Sequence, residues 1–332
     1  MFRAVQRHGR RHGRLELPLR TNAGAKRMNT PTPSVAVLCI GHAAYDLCMR
    51  VAAYPAENSK TETDLLLESG GGPAANAAWL LAHWGVPTAL AAVVGDDEYG
   101  GRVLRELHQA GVECSLMETR PGHLTPVSFI IANRANGART IINRRAPAQG
   151  LKLPPGKLAQ LQPRLLLLDG HELAASLAAL EAFPAAITVL DAGALREGTE
   201  VLSRRVHYLV CSERFAAQLT GKNDVDADWQ SCLRQLQARN GKVAVVTLGE
   251  KGLLFSDGRQ QGRLPALPVK AVDTTAAGDI FHGAFAFALA QELDLAQALR
   301  LATVAAGLSV QRPGGRPSTP ELAAVMEVMS RP

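Results

Sequence analysis

The segment Asp273-Thr274-Thr275-Ala276-Ala277-Gly278-Asp279, running into Ile280-Phe281-His282-Gly283-Ala284 and an alanine-rich apolar stretch, combines two features that chemistry can use. Small residues lead into a helix-forming run. A helix N-terminus presents unpaired N–H groups and a partial positive charge, so a small-residue turn lets an anionic phosphate approach the backbone closely. Asp279 falls at that mouth, placed to accept the proton of an attacking hydroxyl. The amides of Ala276, Ala277 and Gly278 would stabilise charge developing on a transferred phosphoryl group. The same residues also suit a plain helix cap with close packing, so the segment alone does not decide.

Such a turn needs a scaffold. Residues 34–40 form a continuous β-rich apolar run ending at Gly41, the pattern of a central parallel strand buried on both faces. Residues 44–68 are more polar and broken at Tyr54-Pro55, which predicts exposed lid strands rather than core. Gly70-Gly71-Gly72-Pro73 feeds a predicted helix over 74–84. A strand over 88–94, the turn Gly95-Asp96-Asp97 and a helix over 101–110 repeat the rhythm. Alternating runs at 126–133 and 140–143 flank Asn136-Gly137, a type I′ hairpin signal that extends the lid. Strands are expected at 165–168, 187–190, 208–211 and 243–248, separated by helix-forming stretches, which predicts a large, mostly parallel sheet. Beyond Asp273 the chain reads as helical through 302–310, then turns at Pro313-Gly314-Gly315 before a short helix from residue 320.

The glycine turn and the Asp279 turn together carry a resemblance. Asp273 to Asp279 looks like the C-terminal signature of ribokinase-like, or PfkB-type, sugar kinases. Gly70-Gly71-Gly72-Pro73-Ala74-Ala75-Asn76 resembles that family's N-terminal glycine signature, in family-like order along residues 34–330. The resemblance implies an α/β, ribokinase-like three-layer sandwich, with a large mostly parallel central sheet and a small β lid drawn from about 44–68 and 124–146. It implies ATP and Mg2+ as cofactors and a small sugar as substrate. By position it assigns Asp46, Gly71, Gly72 and Asn76 to the sugar and Thr247, Gly249, Gly252 and Gly314 to the nucleotide. Asp273 and Ser318 match positions near a monovalent cation such as K+.

Where the family commonly has N-x-x-E, this chain has Ser212-Glu213-Arg214-Phe215, leaving Glu213 as a displaced carboxylate for magnesium. The triple glycine, the Phe281-His282-Gly283-Ala284 run and Arg312-Pro313-Gly314-Gly315-Arg316 look most like the sulfofructose-kinase branch, which implies a ketohexose derivative. Lys60 matches a basic position of that branch, and Asn143, Arg144 and Arg145 add a basic strand end suited to an anionic group. His171 stands where that branch favours Arg, so a neutral sugar or a nucleoside stays open. A catalytically silent sugar or nucleotide sensor is the other alternative. No G-x-G-x-x-G follows the first strand, which removes a dinucleotide oxidoreductase.

Composition sets outer bounds. The 332 residues are 47% hydrophobic and 20% charged, and no segment has the roughly 18 uncharged apolar residues that would span a bilayer. The net charge of +6 is local: residues 1–27 hold eight Lys and Arg against Glu16, a charge of +7, and the remainder carries −1. A near-neutral globule lacks a broad phosphate-binding surface, so no nucleic-acid partner is expected. Residues 1–33 read as a disordered basic leader or an over-extended start, ahead of a kinase domain over 34–330. The five scattered cysteines form no C-x-x-C pair, which suits reduced thiols and a cytoplasmic location. Exposed lid edges favour a homodimer.

Overall fold

The computed structural model describes residues 35–63, 65–135, 137–144 and 150–331. Its strands are β1 (Val37–Ile40), β2 (Ala44–Val51), β3 (Leu66–Gly71), β4 (Thr88–Ala91), β5 (Val93–Gly95), β6 (Glu118–Arg120) and β7 (Val127–Asn133), then β8 (Arg139–Arg144) and β9 (Leu165–Leu168). β10 (Ile187–Ala192), β11 (Tyr208–Ser212), β12 (Val243–Thr247), β13 (Leu253–Ser256) and β14 (Gln261–Leu264) complete the set.

Uninterrupted apolar strands force a three-layer arrangement. Along β1, Val37 and Cys39 enter one core while Leu38 and Ile40 enter the other; β9 divides Leu165 and Leu167 from Leu166 and Leu168 in the same way. Both faces therefore need helical cover. Helices Pro73–His83, Ala277–Ala290 and Leu295–Ser309 pack on the first face, and Leu173–Ala182, Glu213–Thr220 and Trp229–Asn240 on the second. The sheet runs β14-β13-β12-β11-β10-β9-β1-β4, parallel from β4 through β12 and antiparallel across β12-β13-β14. A separate four-stranded sheet, β3-β2-β7-β8, forms the lid.

Several sequence expectations shift. The strand expected over 88–94 is two strands: β4 pairs with β1 and is bridged on its outer side at Ala89 by Glu113. After Ala92 the backbone joins β6 instead, and the Gly95 N–H reaches Thr125 Oγ1 at 3.0 Å. The helix expected from 101 begins at Glu98, since Asp97 caps it by accepting the Gly100 N–H at 2.9 Å. The helical stretch expected beyond Asp273 through 302–310 is two helices, Ala277–Ala290 and Leu295–Ser309, the second opened by a capping box made by Asp294 and Gln297. The lid strands at 44–68 are not exposed throughout: β2 lies between β3 and β7 and buries Tyr45, Asp46 and Cys48, while residues 52–63 are exposed. Asn136 of the hairpin signal lies outside the described residues. All five cysteines are free thiols, four of them buried.

One backbone contact fixes the loop after β9, which carries Asp169 and His171. Gly198, in the helix Glu197–Leu202, lies against Gly170 so closely that a Cβ there would sit 2.0 Å from the Gly170 carbonyl oxygen. Neither backbone can yield without moving Asp169. Gly198→Ala is therefore expected to cost about 1–3 kcal/mol, read as a lowered Tm in a thermal melt.

Candidate active site

A cleft of about 610 Å3 opens at the carboxyl ends of the parallel strands, beneath the lid. Its floor is the 273–279 turn. Ala276 caps the following helix in the left-handed conformation, at φ 57° and ψ 10°, a position that strains a residue with a Cβ. The Ala277 N–H bonds the Thr274 carbonyl at 3.3 Å, and Gly278 and Asp279 follow in the first helical turn, where amides have no helical acceptor.

Asp279 is crowded by protein yet open to the cleft. Its Oδ2 accepts a hydrogen bond from Asn76 Nδ2 at 2.7 Å. Loss of solvation, reinforced by the nearby Asp191 carboxylate and more weakly by Asp46, pushes its pKa up to about 7; the Asn76 amide and His282 act the other way. One helical turn on, His282 is buried, with Nδ1 2.7 Å from the Gly278 carbonyl and 3.3 Å from Asp191 Oδ2, and Nε2 3.2 Å from the Val210 carbonyl. Burial also raises Asp191, against the pull of His282.

Across the cleft, Asp46 projects from β2, and burial raises its pKa despite the hydrogen bond from Ser128 and the field of Arg316. A Cβ at Gly71 would overlap the Asp46 carboxyl group, so the glycine there gives that carboxylate its space. Asp46, Gly72, Asn76, Asn143, His171, Ala276, Gly278 and Asp279 all line the cleft, as does Thr247 at the end of β12. The His171 ring stacks on His42 with centroids 4.5 Å apart. Arg144 also lines it, donating to the Thr125 carbonyl at 2.9 Å.

Other expected site residues lie elsewhere. Lys60 sits in the exposed 52–63 segment, outside the cleft lining, and Arg145 falls outside the described residues. Gly249 and Gly252 bracket the short 3-10 turn after Thr247, and neither lines the cleft. Glu213 is exposed at the start of its helix, while Ser212 caps that helix and lines the cleft. Asp273 is buried: Oδ1 accepts from the Thr275 N–H and hydroxyl, and Oδ2 from the Gly314 N–H at 2.8 Å and the Cys48 thiol. The Ser318 hydroxyl donates to the Gly315 carbonyl at 2.8 Å. Asp273 thus braces the turn against the 313–314 loop and the lid. Among the described residues, no group of three or more His, Cys, Asp or Glu is arranged to hold a metal ion.

Sequence reasoning missed Asp191 and Asp169. Asp169 accepts from the His42 N–H at 2.8 Å, the Ala74 N–H at 3.2 Å and the His171 N–H at 2.9 Å, joining three loops. Both acids follow apolar strand runs at their carboxyl ends, a signal that was available. Nothing local marks Arg139 of β8, whose Nη1 donates to Thr274 Oγ1 at 2.7 Å and ties the lid to the turn.

Residues 36–322 match the pfkB family carbohydrate kinase description. The chain belongs to that family. It is therefore a carbohydrate kinase, and its α/β sandwich is the ribokinase fold. The ribokinase of Haemophilus influenzae is 27% identical over 270 residues, spanning 78% of this kinase and 87% of its own length. A crystal structure of a candidate ribokinase from Agrobacterium tumefaciens superposes with a TM-score of 0.80 at 32% identity, covering 89% of this chain and 97% of that one. The Arabidopsis thaliana ribokinase, solved with ribose and ATP, shares the fold with a TM-score of 0.78 at 22% identity, covering 91% of this kinase and 100% of itself.

The raised Asp279 pKa has a stability consequence. The folded kinase keeps this carboxyl protonated up to about pH 7, whereas the unfolded chain releases the proton near the ordinary carboxylate value. Between those values the folded state binds more protons, so this group's contribution is fullest at low pH and is lost as pH rises through 7. Thermal melts of the ligand-free protein from pH 5 to 8.5 should show Asp279→Asn gaining Tm relative to the unmodified protein as pH rises. A constant difference between the two proteins would contradict the assignment.

Proposed function

We propose that this kinase transfers the γ-phosphoryl group of ATP to a hydroxyl of a small sugar, a ketohexose or a pentose, with Asp279 as the base. The observation that carries the reading is the placement of the Asp279 carboxylate, open to the cleft and held by Asn76, at the mouth of the helix Ala277–Ala290. A substrate hydroxyl beside Asp279 loses its proton to the carboxylate as it attacks. The Gly278 and Asp279 amides, aided by the helix N-terminus, receive the charge of the moving phosphoryl group. Asp46 and Asn143 face the same space from the lid and offer polar partners to the other hydroxyls. Ser212 and Thr247 line the strand ends where the nucleotide would lie.

Magnesium, when bound, would neutralise charge on the phosphates and needs only one or two protein carboxylates. Asp191 lines the cleft and fits that role better than the exposed Glu213. Asp273 is assigned a bracing role, and the proposal needs no K+. Arg144 and Asn143 beside the sugar space keep an anionic ketohexose derivative, as in the sulfofructose-kinase resemblance, within the class to be tested.

The lid also supports the homodimer reading. Leu66, Phe129 and Ile142 are 54%, 40% and 58% exposed on the lid sheet, with Phe129 directly opposite Ile142. A second copy of the chain would cover this row.

ADP release with ATP and magnesium, measured across ribose, fructose, sulfonated sugars and nucleosides, tests the reaction. Asp279→Asn is expected to lower kcat by at least about 100-fold, and kcat/KM of the unmodified enzyme should climb with pH through about 7 as the base ionises. Sugar-dependent turnover that survives in Asp279→Asn would remove Asp279 as base. For the assembly, Phe129→Glu with Ile142→Glu should convert a dimer to a monomer in light scattering.

A further inference from the structure

Asn76 touches Asp279 through one end of its amide, and what holds the other end is a charge buried behind it. Arg316 is only 4% exposed. Its Nε donates to Asn76 Oδ1 at 3.1 Å, and its Nη1 donates to Glu106 Oε2 at 2.9 Å. The same Glu106 oxygen accepts the Gly70 N–H at 2.7 Å. Nη2 has no protein partner among the described residues, so the guanidinium plane rests on these two bonds. Gly70 is shaped to admit it, since a Cβ there would stand 1.9 Å from Nη1. The chain Glu106–Arg316–Asn76–Asp279 links the helix Glu98–Gln109, the 3-10 turn Arg316–Ser318, the helix Pro73–His83 and the helix Ala277–Ala290.

An amide can sit two ways round. In the observed orientation its NH2 faces Asp279 and its oxygen faces the guanidinium. Turned over, its NH2 would meet the Arg316 N–H, donor against donor, and its oxygen would meet Asp279, which could then bond only by keeping a proton. A flipped amide therefore favours the protonated acid, the form that cannot act as a base.

We propose that Arg316, anchored by Glu106, is a positioning residue that locks the Asn76 amide with its NH2 toward Asp279, so that the carboxylate is held in its proton-accepting form. This rests on the reading of Asp279 as base. Other charged and titratable groups around Asp279 are Asp191 at the end of β10, Asp46 on β2 and His282 on its own helix; the Arg316 charge is also felt by Asp46 and Asp279 through space, and the Asn76→Ala background below separates that field from the effect carried by the amide.

The test is the pH dependence of kcat/KM for the sugar. Arg316→Met keeps an unbranched apolar stem and removes every donor. The ascending limb should move upward by about one pH unit, a tenfold loss of kcat/KM below the limb that disappears at high pH, while the KM for ATP stays put. An unmoved limb with a uniform loss at all pH values would overturn the proposal and leave Arg316 a packing residue. Should Arg316→Met fold poorly, Arg316→Lys, with a single ammonium nitrogen in place of the planar fork, should give an intermediate limb; a limb identical to that of the unmodified enzyme would count against the lock. In an Asn76→Ala background the Arg316 change should shift the limb no further, and a full additional shift would sink the idea. Failure of the base reading is distinguishable, because it shows as turnover surviving in Asp279→Asn whatever Arg316 does.

Discussion

The carboxylate of Asp279 sits where a protein would ordinarily avoid putting one, shielded from water and near two further acids, at the mouth of a helix. Removal from water disfavours its ionised form, and the surroundings oppose that cost only in part, through the Asn76 amide and His282. Much of the cleft architecture answers this one constraint. Asn76 is presented by the helix Pro73–His83 and gripped from behind by Arg316, while Asp191 and His282 form a buried pair beneath the same turn. A group held near the balance between its two protonation states is the one that a small change in surroundings can tip, which is what a base at neutral pH requires.

The turn is held by ties to segments far away in sequence. Asp273 binds it to the 313–314 loop and, through Cys48, to the lid strand β2. Thr274 meets Arg139 at the far end of the lid. Asp169 joins the loop after β1, the glycine turn and the loop after β9. The lid is thus fastened to the floor on which the phosphoryl group would be received, and a substrate that orders the lid also orders the floor.

Membership of the pfkB family and the site geometry bear on different questions. The family match over residues 36–322 makes the chain a carbohydrate kinase. The geometry separates roles within it: Asp273 is committed to protein partners, Glu213 stands outside the cleft, and Asp191 stands inside it. The loss of the usual N-x-x-E residues at 212–215 is therefore compatible with a cleft that still has a carboxylate beside the strand ends.

The core strands could be read from the chain because strands buried on both faces must be apolar at every position: β9 lies at the residues expected, and β10 to β12 begin where expected and end within two residues of it. The glycine turn was legible for a similar reason, since the close approach of Arg316 and the Asp46 carboxyl to Gly70 and Gly71 leaves no room for a Cβ. Edge behaviour was not legible. The break of 88–94 at Ala92 and the burial of β2 depend on which strands lie alongside, and that is decided by pairing between distant segments. Nor could the sequence mark Asp191, Asp169, Glu106 or Arg316 as parts of one site. An isolated acid or arginine in a chain looks like any solvated surface charge, and its role exists only once three helices and a 3-10 turn bring Glu106, Arg316, Asn76 and Asp279 into one chain of hydrogen bonds. Local composition determined the layers and the two small-residue turns; the charge state and orientation of the groups between them were decided by tertiary burial, which removes the water that would otherwise have satisfied each group separately.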